Sequence, residues 1–386
     1  MKLLAVSTSC INPVNRELYR RLNQSGVEVL LVVPDRWNLG KGTIETPKGL
    51  SQDPQMLFLP PTSYHHRLYK LIGVEKLIAT EKPDVIYLEG DPASRMSRVM
   101  GLAAKQTNAR FWAISCENLP QDPLSVMKRE GLKAVPSAIV KYWLLLQSRK
   151  VTDRLFVIND EGKRLFDNYG FKQVSKTPLG FNENIFKIDL EARRRIRRAL
   201  KIEDDEHVIA YFGRMVFEKG VHVLIEALAQ LKANPAWRLM VDDFDIYQSP
   251  YLKEVKMLIE KHQLEKRVIY IHANHTEIAD YMNASDIVVL PSVSTKKWVE
   301  QYGRVVPEAM SCGKTVLASS SGAPKEMVFN KEWVFRENDA AGLRNLLVEA
   351  MKTPHQKSTA EEIHTYTTEN FGLNRQVALF IDSLEK

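Results

Sequence analysis

The chain is poor in cysteine, with three in 386 residues and no pair at Cys-x-x-Cys spacing. An odd number so far apart (Cys10, Cys116, Cys312) argues against a disulfide framework or a cysteine zinc site, and favours a reducing cytoplasm. Long apolar runs are also missing. No stretch approaches the roughly 18–20 apolar residues needed to cross a bilayer. The opening segment is apolar only around Leu3 to Val6, too short for a secretory leader, and reads as a buried strand. There is no internal repeat of solenoid length and no low-complexity tract. What remains is a globular chain too long for one ordinary core and suited to two domains. Acids are outnumbered: 54 Lys and Arg face 47 Asp and Glu, a net charge of +7. That excess points to an anionic partner, with nucleic acid, acidic lipid and phosphorylated substrate all open on charge alone.

Apolar runs and helical spacings alternate along the chain. Strands are predicted at Leu3 to Val6, Val27 to Val33, Asp84 to Leu88 and Arg110 to Ser115. Helices are predicted at Asn15 to Ser25, Leu68 to Thr80 and Ser94 to Thr107, with Tyr64-His65-His66 opening the second. Proline and glycine break the pattern near Lys176 to Gly180. A second series follows, with strands at Val208 to Phe212, Trp237 to Val241 and Val268 to Ile271. Its helices are at Val221 to Leu231, Tyr251 to His262 and Glu277 to Met282, the last with an Asn274/Glu277 capping box. Such alternation implies parallel sheets covered by helices. The basic run Arg193 to Arg198 reads as a solvated helix face.

The most informative segment is Val299 to Gly313. It places Glu300 and Glu308 eight positions apart around Gly303, which opens a short helix between the strand-like runs Ile287 to Ser292 and Lys314 to Ala318. In such a unit ligands collect at the carboxyl ends of parallel strands. An anionic phosphate suits the helix N-terminus, and a carboxylate can accept bonds from neighbouring sugar hydroxyls. Pro307 requires a place in the first helical turn. Upstream, Gly213-Arg214-Met215-Val216-Phe217-Glu218-Lys219-Gly220 puts two cations in the loop after the first strand of the second series.

Together these motifs resemble the retaining GT-B glycosyltransferases of family 4, specifically over residues 170 to 330. The resemblance implies an α/β fold of two Rossmann-like domains facing a cleft. Residues 1–176 would bind acceptor and 177–365 nucleotide sugar, and 366–386 would form a C-terminal helix crossing back to the first domain. It implies that Arg214 and Lys219 carry the diphosphate, with Gly213 in the same loop. Gly303, Arg304 and Val305 would offer backbone N–H groups to phosphate, Glu308 would hold the ribose, and Glu300 would contact the transferred sugar. Asn274 falls where the base is framed, beside His272 and His275, which read equally as surface histidines. Ser319 to Glu326 resembles a Gly-rich loop near the donor. Asp242-Asp243-Phe244-Asp245 contains an Asp-x-Asp that could hold a divalent ion. It stands where the family more often has a Gly-rich turn, and the basic residues already supply charge, so no metal or other cofactor is expected beyond the nucleotide-diphosphate sugar as co-substrate.

The first half departs more from the family. Glu117 reads either as a group that positions or deprotonates an acceptor hydroxyl, or as a capping or salt-bridged acid. Glu89-Gly90-Asp91 is a similar candidate. Met127 to Arg154 carries seven Lys or Arg against two acids, with Val140 to Leu146 apolar and aromatic. It reads as a core helix with a basic face, or as a segment lying on the anionic inner face of a membrane. No nucleic-acid module is visible. The reading is therefore a glycosyltransferase with a glycan, lipid-linked or small-molecule hydroxyl acceptor. A sugar-nucleotide epimerase or hydrolase, or a non-catalytic partner subunit, stands as the alternative.

Overall fold

The computed structural model describes residues 1–38, 42–231, 236–242, 249–274, 277–352 and 357–385. The chain forms two α/β units, Met1–Gly180 with Asn374–Lys386, and Phe181–Leu373. In the first unit the strands are β1 (Lys2–Ser7), β2 (Glu28–Pro34), β3 (Arg36–Asn38), β4 (Thr43–Glu45), β5 (Gln55–Leu59), β6 (Val85–Glu89), β7 (Arg110–Ser115), β8 (Arg154–Val157) and β9 (Val174–Lys176). Seven form a parallel sheet in the order β5-β2-β1-β6-β7-β8-β9, while β3 and β4 pair as a small antiparallel ribbon. Near-continuous apolar runs such as Leu3 to Val6 suit strands covered on both faces. One face packs Leu4, Ile86, Leu88, Phe111 and Val157 into the main core. Alternation sends Tyr87, Trp112 and Phe156 to the other face. There Phe380 of the last helix, Leu373–Glu385, meets all three rings at centroid distances of 5.1, 5.4 and 5.6 Å.

The second unit holds β10 (His207–Tyr211), β11 (Trp237–Asp242), β12 (Val268–Ile271), β13 (Ile287–Leu290), β14 (Thr315–Ser319) and β15 (Val334–Phe335). Their order, β12-β11-β10-β13-β14-β15, is parallel throughout. Sequence order reverses direction between β10 and β13, which creates a crevice at their carboxyl ends. The Asn274/Glu277 box forms as expected: Glu277 N–H donates to Asn274 Oδ1 at 3.1 Å, and Asn274 N–H to Glu277 Oε2 at 3.2 Å. Among the described residues, no helix is long and apolar enough to cross a membrane.

Two local expectations need correction. The helix predicted from Leu68 begins only at Val74. Gly73 takes a left-handed φ of 87° and Leu71 pairs with Pro61, so Tyr64, His65 and His66 lie in turns ahead of the helix. The run Arg193 to Arg198 is not wholly solvated. Asp286 draws in Arg193 at 2.7 Å and Arg197 at 3.4 Å, and itself accepts from Val208 N–H at 2.7 Å. A buried carboxylate requires such partners, which explains why two of the five arginines turn inward.

Phe380→Ala should cost about 3 kcal/mol of stability, as a large ring leaves a cavity against three others. Urea unfolding followed by circular dichroism would measure it.

Candidate functional site

The second unit builds its site from the loops that follow β10, β13 and β14. Val293 N–H donates to the Glu218 carbonyl at 2.8 Å, tying the first two loops together. Ala323 N–H donates to the Glu300 carbonyl at 3.1 Å, and Ser319 Oγ to the Ser292 carbonyl at 2.5 Å, which adds the third. Glycine is required at the crossings. A Cβ on Gly220 would stand 1.9 Å from the Pro291 carbonyl oxygen, and one on Gly322 1.9 Å from that of Glu300. Both residues also have a left-handed φ, 66° and 68°. Gly303, with φ 77°, is pressed against Leu290 and Pro324.

This stitching brings Lys219 to Glu300 across 81 residues of chain. The Lys219 ammonium donates to Glu300 Oε2 at 2.6 Å, and the Ser292 hydroxyl donates to the same oxygen at 2.8 Å. The Trp298 ring lies 5.3 Å from the ammonium and adds a cation–π contact. Neither Ser292 nor Trp298 was singled out from the sequence; both flank Glu300 within eight positions, but nothing in their type marks them. Arg214 is exposed at the mouth of the loop, its carbonyl held by the Tyr211 hydroxyl at 2.8 Å. Gly213 is exposed beside it, and Asn274 is exposed after β12.

The helix Val305–Ser311 starts immediately after Gly303 and Arg304. Pro307 is its third residue, where no intrahelical N–H is needed. Glu308 faces the buried side, and burial pushes its carboxyl up to about 7 against a modest opposing pull from Arg304, which is exposed and 3.6 Å away. Asp242 ends β11, while Asp243, Phe244, Asp245 and His275 lie outside the described residues.

Glu117 belongs to the first unit, at the carboxyl end of β7. It sits in an ion-pair network with Lys141 Nζ at 2.8 Å and Arg67 at 3.4 Å, and accepts from Gln121 Nε2 at 3.0 Å. Arg67 also reaches Asp91 at 3.1 Å. Burial, then the charge of Glu117, raises the Asp91 carboxyl above its ordinary value. The charged partners of Glu117 lie 24 and 50 residues away, so no local motif could reveal them. Glu89 is held separately, by Tyr19 at 2.6 Å and Ser9 at 2.7 Å.

Known proteins give this geometry a context. Residues 192–369 match the family Glycosyl transferases group 1. A glycosyltransferase of Methanocaldococcus jannaschii is 28% identical over 165 residues, 41% of this chain and 40% of that protein. The D-inositol 3-phosphate glycosyltransferase of Xylanimonas cellulosilytica is 29% identical over 273 residues, 69% of this chain and 57% of that one. The chain spans about half the length of the curated relatives it matches. Among solved structures, HepE of Anabaena in complex with UDP has a TM-score of 0.74 at 19% identity, covering 100% of both chains. A Rickettsia africae glycosyltransferase has 0.74 at 18%, covering 100% of this chain and 97% of its own. The expected class, two Rossmann-like α/β domains of the GT-B type, is therefore borne out.

Glu308 gives a pH test. Its folded pKa is raised, so the folded state binds the proton more tightly, and ionisation costs stability as pH rises from about 4.5 towards 7. Glu308→Gln should match the parent at pH 4 and exceed it by about 3 kcal/mol at pH 8. Urea titrations across that range would measure the difference.

Proposed function

We propose that this chain is a retaining glycosyltransferase of family 4. It moves a hexose-type sugar from a nucleotide-diphosphate sugar to a hydroxyl of a glycan or lipid-linked acceptor, in cytoplasmic assembly of polysaccharide or glycoconjugate. The observation that carries this reading is the Lys219–Glu300 pair, at the strand-order reversal of a sheet within the matched family segment. The complex of HepE with UDP supports a nucleotide as the donor's carrier.

In this reading the anomeric carbon–oxygen bond breaks and its electron pair goes to the departing diphosphate. Arg214 and Lys219 stabilise that charge, the largest catalytic contribution at such sites. Lys219 has three N–H donors and gives one to Glu300, leaving two for phosphate oxygens. Val305, Arg304 and Gly303 supply backbone N–H groups at the helix start. Glu300 faces the sugar and stabilises positive charge developing on its ring. The acceptor oxygen attacks from the face the diphosphate leaves, and a departing phosphate oxygen takes the acceptor proton. Glu308 accepts ribose hydroxyls and Asn274 borders the base. The cations take the part that a metal ion would otherwise play.

Peripheral association with an anionic membrane belongs to the same reading. Leu124, Leu132, Ile139, Val140 and Trp143 are all exposed, and Lys128, Lys133 and Lys150 are exposed among them. Lys141, counted with these from the sequence, is instead turned towards Glu117.

A thermal-shift screen against UDP-, GDP-, ADP- and dTDP-sugars tests the donor. One of them should stabilise the protein by about 2.7 kcal/mol at a hundredfold excess over Kd, and Lys219→Met and Arg214→Ala should abolish the shift. No shift with any donor would overturn the reading. For the membrane, neutralising Lys128, Lys133 and Lys150 together should weaken co-sedimentation with anionic vesicles by about a hundredfold. Unchanged binding, or none in the parent, would remove the membrane from the reading.

A further inference from the structure

A cavity of about 500 Å3 in the first unit has walls of two kinds. Val126, Ala138 and Leu144 are among its apolar lining residues, and Arg67, Arg129 and Lys141 are its cationic ones, with Glu130 the carboxylate among them. A volume of this size suits a small-molecule ligand.

The cations are already fixed. Arg67 is held between Asp91 and Glu117, Lys141 on Glu117, and Arg129 on Glu130 at 2.8 Å and the Pro120 carbonyl at 2.9 Å. These bonds consume only part of their capacity. A guanidinium has five N–H donors and an ammonium three. Arg67 commits three through its side chain, including Nε to His66 at 3.1 Å, and Lys141 commits one. Positioned cations with spare donors receive an oxyanion with little reorganisation. The imidazole of His66 registers the same environment: burial first, then the charge of Arg67, hold it below its ordinary value.

The rim of the cavity is different. Leu68 and Val140 line it yet are 46% and 52% exposed, and Leu132 on the adjoining segment is 75% exposed. A soluble anion would not need such a rim, and a plain apolar ligand would not need the cations. We propose that this cavity receives the head of an amphiphilic acceptor, a lipid-borne phosphate, with the phosphate on Arg67, Arg129 and Lys141 and the apolar chain leaving over Leu68 and Val140. The proposal rests on the transferase reading and names the chemical class of its acceptor.

Calorimetric titration in the absence of donor separates the parts of this proposal. The probes are decyl phosphate below its micellar concentration, inorganic phosphate, and decyl maltoside. Decyl phosphate should saturate a single site about tenfold more tightly than either of the others, and Arg129→Gln and Val140→Asp should each weaken it about tenfold. Both variants are checked for parental circular dichroism and Tm. In the unaltered protein, the His66 imidazole followed by NMR should rise in pKa with decyl phosphate and stay put with decyl maltoside. Equal binding of inorganic phosphate would reassign the cavity to a soluble anion. Equal binding of decyl maltoside, unchanged affinity in the variants, or a static His66 would overturn the proposal. Donor binding is measured separately. Its loss refutes the transferase reading, whereas failure of decyl phosphate with donor binding intact refutes the acceptor class alone.

Discussion

Backbone contact between three loops is the constraint on which the second unit's site depends. Gly220 lies against the Pro291 carbonyl and Gly322 against that of Glu300, each closer than any side-chain-bearing residue permits. Lys219 and Glu300 are therefore carried by main chain that is already fixed. Only the rotamer freedom of the two side chains is then left to lose when they meet. A sheet with the same strand order but bulkier loops would present the same residue types at the same strand ends without bringing them together.

The two acids of the Val299 to Gly313 segment occupy unlike surroundings. Glu300 has an ammonium and a hydroxyl on one oxygen. Glu308 is buried beside an exposed arginine, and its charge is poorly compensated. Placing paired acids in environments that separate their behaviour is a common route to separate roles. A ligand presenting hydroxyl donors to Glu308 would supply the compensation that the protein withholds.

Much of the architecture was legible because buried parallel strands leave continuous apolar runs, and those runs are bounded here by proline, glycine and capping residues. The strands Arg110–Ser115 and Val268–Ile271 begin and end where the sequence pattern places them. The helix from Leu68 was misjudged because its apolar spacing is helical, whereas a positive φ at Gly73 and a bridge to Pro61 decide the backbone. Arg193 and Arg197 could not be distinguished from Arg194 by type. Their direction is set by Asp286, some 90 residues on. The segments around Lys219 and Glu300 are visible because each is a short, distinctive run directly after a buried strand. The Arg67–Glu117–Lys141 network was not, because three separate loops and helices contribute one residue each.

The aromatic seat of Phe380 has a consequence for synthesis. The first unit is interrupted in sequence: its strands are made first, but the helix covering Tyr87, Trp112 and Phe156 is made after the whole second unit. A nascent chain therefore carries an uncovered aromatic face while some 190 further residues emerge, at about 5–20 residues per second. For roughly ten seconds or more that face is open to chaperones or to misassociation with another chain. The second unit is contiguous and can close on itself before the first is complete.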